Sequence, residues 1–127
     1  MNTEKNTPSD LELQILSVLW KRGPSTVHEV LDAMPDGKKR AYTTILSVMQ
    51  VMEKKKFLKH KRDKLTHIYQ PKVERQEILA PLMKGLIQKV FGGRPSSVLQ
   101  CLLKENEIDK TEISEIQKLL KDHKGKN

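Results

Sequence analysis

The feature that most constrains the fold is a change of hydrophobic period at Phe57. Before Phe57, apolar residues recur every three or four positions, which is typical of α-helices packed on one face. After it, residues 58–62 and 66–70 each have the pattern of a short strand, joined through residues 63–65, and Pro71 ends the second. Three short helices followed by a hairpin is the order of a winged helix-turn-helix domain.

Start and stop signals place the three helices. Ser9–Glu12 and Thr26–Glu29 both have the S/T-x-x-E form of a capping box. The first helix is expected to end near Trp20 and the second at the turn residues 35–37. The third is expected from about residue 41 to 55, with a buried face formed by Ala41, Ile45, Val48, Met49 and Met52.

The segment after Pro71 is charge-balanced and again helical, so we predict a winged-helix domain over residues 1–71 and a helical dimerisation region over 72–127. Pro81 and Gly85 suggest that its first helix starts late or kinks, Pro95 suits the first turn of the next, and Asp109 caps the last. Such short amphipathic helices must bury their apolar faces against another surface. The leading prediction for that surface is a second copy of the chain, and the alternative is the N-terminal domain. The predicted dimer-interface residues are Ile78, Leu79, Leu82, Met83, Leu86, Ile87, Val90, Phe91, Leu99, Leu102, Leu103, Ile113, Ile116, Leu119 and Leu120.

The excess positive charge lies in one stretch of the chain. Residues 38–64 hold ten Lys or Arg and two acidic residues, which accounts for the whole formal charge of +8, since the remaining residues carry fourteen of each sign. A confined basic block indicates a polyanionic partner such as DNA, whereas a merely solvated run is the alternative. The predicted contacts to the DNA backbone are Thr26, Lys38, Lys39, Arg40, Tyr42, Lys54, Lys55, Lys59, Lys61, Arg62 and Lys64.

The third helix has a polar stripe opposite its apolar face. Hydroxyl and amide side chains there can contact base edges, and a leucine can meet a thymine methyl group. An ordinary solvated helix face is the alternative reading. The predicted base-reading residues are Thr43, Thr44, Leu46, Ser47 and Gln50.

Other classes of function have little support in the sequence. The lone Cys101 excludes an internal disulfide, and the histidines lack metal-ligand spacing, so we predict no metal site and no cofactor. No catalytic grouping stands out, and we expect no enzyme activity. With no apolar run of membrane-spanning length and no signal-peptide pattern, the predicted compartment is the cytoplasm. The alternative function is a winged module for protein–protein assembly or non-specific nucleic-acid binding.

Several segments resemble the BlaI/MecI penicillinase-repressor family, over roughly residues 10–120. The most specific segments are the Ala-Tyr-Thr-Thr sequence that begins the third helix and the Phe-Gly-Gly sequence that ends the fourth. The full set of matching segments is Leu11-Glu12, Val18-Leu19-Trp20, Gly23-Pro24-Ser25-Thr26-Val27, Glu29-Val30, Ala41-Tyr42-Thr43-Thr44-Ile45, Glu53-Lys54-Lys55, Tyr69-Gln70-Pro71 and Phe91-Gly92-Gly93. The chain departs from the family pattern at Val51 and Lys56, where Arg and Gly are usual, and it lacks the Cys-x-Cys motif of a copper-responsive branch.

The resemblance implies a homodimeric repressor on double-stranded DNA with a palindromic operator. It also implies release by a membrane receptor-protease or another signalling protease that cuts the C-terminal region, with antibiotic resistance as one setting. The corresponding cleavage region in this chain is Leu99, Gln100, Cys101 and Leu102.

Overall fold

The computed structural model describes residues 7–125. Three helices, an antiparallel hairpin and three further helices follow one another, which confirms the predicted mainly helical winged-helix class. Their bounds are α1 Asp10–Arg22, α2 Val27–Asp32, α3 Tyr42–Lys54, β1 Leu58–Asp63, β2 Thr66–Pro71, α4 Arg75–Val90, α5 Pro95–Lys104 and α6 Lys110–Lys124.

Both predicted capping boxes are present. The Glu12 N–H donates to the Ser9 hydroxyl at 3.2 Å, and the Ser9 N–H donates to the Glu12 carboxylate at 2.8 Å. The same reciprocal pair joins Thr26 and Glu29 at 3.1 and 2.9 Å. The first helix continues to Arg22, two residues beyond the predicted end, and stops where Gly23 takes a φ of 91°.

The winged-helix core forms around the inner face of α3. Ile45, Met49 and Met52 are fully buried, and α3 contacts α1, α2 and β1. Ala41 was predicted in this buried face but is exposed, because it is the N-cap residue, outside the helix. Val48 is only half-buried. The remaining buried apolar side chains of the core are Ile15, Leu16, Val18, Leu19, Val27, Val30, Met34, Phe57, Leu58, Tyr69 and Ile78.

The hairpin is longer and tighter than predicted. Its register runs from Leu58 opposite Pro71 to Asp63 opposite Thr66, so the turn has two residues instead of three. Ser25 forms an isolated bridge with Tyr69, with N–H to O distances of 2.9 and 2.8 Å in the two directions. This bridge ties the wing to the segment between α1 and α2.

The chain divides into two compact units between Ala80 and Pro81. The first unit therefore includes nine residues beyond the predicted boundary at 71, and the assignment of domains remains a prediction. Within this unit the Trp20 indole N–H donates to the Val73 carbonyl at 3.0 Å, and Ile78 is 8% exposed. Ile78 is therefore removed from the predicted dimer surface, since its side chain is already packed inside its own chain.

The second unit holds the rest of α4 together with α5 and α6. Of the two alternatives for α4, the late start is wrong, because the helix begins at Arg75, and a kink at Pro81 or Gly85 stays a prediction. At the start of the helix the Glu74 N–H donates to the Glu77 carboxylate at 3.0 Å. Pro95 does occupy the first turn of α5, and the Asp109 carboxylate does cap α6. Neither α5 nor α6 has a buried residue. In the part of the chain that the structure describes, no helix has the length and apolarity to cross a membrane.

The end of α3 requires a left-handed residue. The Phe57 N–H donates to the Met52 carbonyl at 2.9 Å and the Lys56 N–H to the Glu53 carbonyl at 3.0 Å, which together form a Schellman motif. Lys56 occupies the position that glycine usually takes, with a φ of 70°. A side chain there is strained, because its Cβ crowds the backbone.

Replacing Lys56 by Gly is expected to raise the free energy of unfolding by about 1 kcal/mol, since glycine adopts this conformation without the Cβ penalty. Lys54→Gly, in the last turn of α3, should lower it by about the same amount. Urea unfolding of both variants measures the difference. Two destabilising substitutions of similar size would contradict a strained Lys56.

Candidate nucleic-acid interface

The outer face of α3 carries the predicted base-reading side chains. Because Ile45, Met49 and Met52 point into the core, the opposite side of the helix must point to solvent. Thr43, Thr44, Ser47 and Gln50 are all exposed, and Leu46 is half-buried. Lys54 is also exposed and continues the line of Thr43, Ser47 and Gln50 by one helical turn. A single row of short polar groups ending in a cation fits the edge of a DNA groove.

The start of α3 has no side-chain cap and no acidic residue in its first turn. The first N–H groups of a helix have no partner within the helix, and they favour an anion nearby. The exposed Lys38 and Lys39 precede this turn. The Tyr42 ring packs against the His28 ring of α2, with centroids 4.4 Å apart. This end of α3 is therefore suited to a phosphate group.

Two predicted phosphate contacts have partners inside the protein. The Lys55 ammonium donates to both oxygens of Glu12 at 2.9 and 3.1 Å. The Arg40 guanidinium donates to both oxygens of Asp36 at 2.9 and 2.6 Å. These pairs neutralise part of the basic block before any DNA arrives.

Of the two acidic partners, Glu12 and Asp36, Glu12 is the more deeply buried. Its side chain is 4% exposed, whereas that of Lys55 is 37% exposed. Burial raises the pKa of Glu12, but hydrogen bonds from Ser9 and Lys55 and the charge of Lys55 together lower it below its ordinary value of 4.5. Glu12 is therefore ionised at neutral pH, and it joins α1 to the C-terminal end of α3.

The wing presents its cations on both faces. Residues directly opposite each other in the hairpin share a face, so Lys59 and Lys61 lie on the side of Gln70 and Ile68. Arg62 lies on the other side, which is also the side of the buried Tyr69. Lys59, Lys61, Arg62 and Lys64 are all exposed.

The inner face of the wing contacts α3 through His60, which also stacks on a second histidine of the wing. His60 Nδ1 lies 2.6 Å from a carboxylate oxygen of Glu53, and the His60 and His67 rings stack at 4.3 Å. At the tip, the Arg62 Nε–H donates to the Lys64 carbonyl at 3.0 Å. The wing and α3 therefore form a jointly held basic surface.

The remaining predicted contacts fall near this surface with mixed roles. The Thr26 hydroxyl accepts the Glu29 N–H as the cap of α2, which leaves its own proton available for a phosphate. Val51, at the family's usual arginine position, is 45% exposed and adds no polar contact. Among residues 7–125, no three His, Cys, Asp or Glu side chains cluster in a way that could hold a metal ion.

Sequence reasoning did not include the acidic residues that hold the interface. Asp36, Glu12 and Glu53 each accept from a basic side chain. Only the Asp36–Arg40 pair has a local spacing that a sequence pattern could have shown. Glu12 and Lys55 are 43 positions apart, and Glu53 and His60, seven apart, meet only because β1 packs on α3.

Comparison with known proteins shows which protein family this chain matches. A family model described as penicillinase repressor matches residues 8–122. The chain is 22% identical over 118 residues to the penicillinase repressor of Bacillus licheniformis, a match covering 93% of this chain and 92% of that protein.

Two further relatives belong to other genera. The transcriptional regulator BlaI of Mycobacterium tuberculosis is 39% identical over 75 residues, which is 58% of this chain and 54% of that protein. The methicillin resistance regulatory protein MecI of Staphylococcus aureus is 22% identical over 112 residues, covering 88% and 91% respectively.

Free and paired lysines should respond differently to substitution. Lys61→Gln is expected to reduce the slope of log K against log salt by about 0.9 for DNA binding, since one phosphate contact is lost. Lys55→Gln should leave the slope unchanged, because Glu12 already neutralises Lys55. Fluorescence anisotropy titrations at several salt concentrations measure both. A reduced slope for Lys55→Gln alone would contradict this division.

Proposed function

The chain belongs to the penicillinase repressor family, and on that basis we propose that it represses transcription as a homodimer bound to a palindromic operator. The family is one of repressors, in agreement with the prediction that the chain is not an enzyme. Its place of action would be the cytoplasm, where bacterial operator DNA lies. The observation that carries the proposal is the exposed polar stripe on α3, with exposed cations in the segment before the helix and in the wing that follows it in the chain.

We assign sequence reading to α3 and binding energy to the cations around it. Gln50 can form two hydrogen bonds with adenine, and Thr44 can contact a base or a phosphate. Lys38, Lys39 and Lys61 would bind phosphates and set the register without distinguishing sequences. Lys55 and Arg40, which have internal partners, are left out of this set.

The second unit supports the proposed dimer. Isolated helices of 10 and 15 residues, the lengths of α5 and α6, are marginal in water without a packing partner. Large apolar side chains are nevertheless exposed in one chain: Met83, Leu86, Val90, Leu102, Leu103, Ile113, Leu119 and Leu120. A second copy would cover them, and its twofold symmetry would match a palindromic operator.

Release by cleavage is the accompanying proposal. Gln100, Cys101 and Leu102 are exposed on α5, a helix that buries none of its residues. Little packing opposes local unfolding of such a helix, so a protease could engage it as an extended strand. Separation of the two DNA-binding domains would then weaken DNA binding, because the second domain of an intact dimer binds its half-site at a high effective concentration.

Operator selection tests the proposed function. The unmodified protein is used to select duplexes from a random pool, and the selected duplex is compared with a scrambled one by anisotropy. We expect tight, salt-dependent binding with two chains per site. Gln50→Ala should reduce the preference for the selected duplex by about 1–3 kcal/mol while changing binding to the scrambled duplex little. Equal binding of the unmodified protein to both duplexes would favour the non-specific module instead.

Cutting the chain on purpose tests dimerisation and release together. A recognition sequence for a specific protease, placed at Gln100–Cys101, should allow cleavage to convert dimers to monomers and to release the selected duplex. The same sequence appended after the C-terminal residue is the control, and cleavage there should change neither property. Sedimentation and anisotropy measure the two effects. A cut protein that remains dimeric and bound would contradict the release mechanism.

A further inference from the structure

The connection between α2 and α3 contains a charged pair that the DNA-binding scheme does not use. Asp36 accepts two hydrogen bonds from the Arg40 guanidinium, and it also accepts the Lys38 N–H at 3.0 Å. The side chains of Asp36 and Arg40 are only 22% and 16% exposed, whereas Lys38 and Lys39 between them are exposed. The pair therefore closes a five-residue loop whose two lysines point outward.

Helix α1 contributes to the same group. Hydrogen bonds from Arg40 and Lys38, with a smaller contribution from the Gln14 side chain, hold the pKa of Asp36 below its ordinary value. The other end of the Gln14 amide, its Oε1, is buried without a hydrogen-bond partner among the described residues.

The location of the pair gives it a consequence for α3. Arg40 immediately precedes Ala41, the N-cap of α3, and Gly37 turns the chain within the loop with a φ of 66°. A bidentate guanidinium–carboxylate contact fixes both groups in one plane. Fixing Arg40 to Asp36 therefore constrains where α3 begins and how its outer stripe is directed.

We propose that Asp36 and Arg40 are positioning residues for DNA binding, forming a clamp that sets the start of α3, and that Arg40 is not a phosphate contact. This inference rests on the proposed function, and it replaces the phosphate contact that the sequence predicted for Arg40 with a positioning role. A guanidinium already neutralised by Asp36 contributes no counterion release. Its removal should change how well the stripe fits the operator, rather than the number of phosphates bound.

Four variants separate the two roles of Arg40. Asp36→Asn, Arg40→Gln and Arg40→Lys should each weaken binding to the selected duplex by about three- to fivefold, the effect of losing one well-formed surface ion pair. The salt slope should not change. The double variant Asp36→Asn/Arg40→Gln should bind no more weakly than the weaker single variant, because both substitutions remove the same clamp.

Arg40→Lys is the decisive variant. Lysine keeps the charge but not the planar fork, so it would preserve a phosphate contact and lose a bidentate clamp. Asp32→Asn, an exposed acid on α2, removes the same charge without touching the loop and should tighten binding slightly. Thermal unfolding of every variant shows whether weaker binding comes from a less stable fold or from a displaced α3 in a folded protein.

The opposite pattern would overturn the proposal. If Asp36→Asn tightened binding, if Arg40→Gln lowered the salt slope by about 0.9, or if Arg40→Lys bound normally, Arg40 would be a phosphate contact.

Amide hydrogen exchange of the free protein provides a test that does not depend on DNA. Arg40→Gln, which leaves the Asp36 carboxylate in place as the acceptor, should speed exchange at the Lys38 N–H because the loop is no longer closed, and unchanged exchange would also overturn the clamp. A failure of the unmodified protein to select any sequence would contradict the proposed function, while the exchange experiment still judges the clamp.

Discussion

The burial of Ile45, Met49 and Met52 is the constraint on which the rest of the structure depends. A helix that inserts one face into a core has only the opposite face left for recognition. These three side chains contribute to a core that α1, α2 and the hairpin also build, so the same packing that makes the domain stable aims Thr43, Ser47 and Gln50 outward. The stability of the domain and the proposed recognition of DNA therefore both depend on how α3 is rotated about its axis.

Ion pairs then hold α3 at both ends. Lys55 is joined to Glu12 at the C-terminal end, and Arg40 is joined to Asp36 just before the N-terminal end. Glu53 adds a contact to His60 in the wing. Within the basic block some cations are therefore used inside the protein, and the others remain at the surface for a polyanion. Net charge alone does not distinguish these two groups, whereas the partner of each side chain does.

Much of this arrangement could be predicted from local sequence signals. The capping boxes at Ser9 and Thr26, the proline at the first turn of α5 and the cap at Asp109 depend on residues only three or four apart, and each is present. The Ala41 error and the early start of α4 came from helix ends, where a neighbouring residue decides between cap and helix. The pairing of Glu12 with Lys55 spans 43 positions and could not be predicted, because no local pattern specifies it.

The central claim is that the outer stripe of α3 reads base edges. NMR spectra of the isotopically labelled protein, recorded with and without the selected duplex, test it most directly. The account predicts that the side-chain amide signals of Gln50 and the backbone signals of Thr43 to Ser47 shift with the selected duplex and much less with the scrambled one. Signals of Lys61 should shift with both. Equal shifts along α3 with both duplexes, or shifts confined to the wing, would contradict the claim.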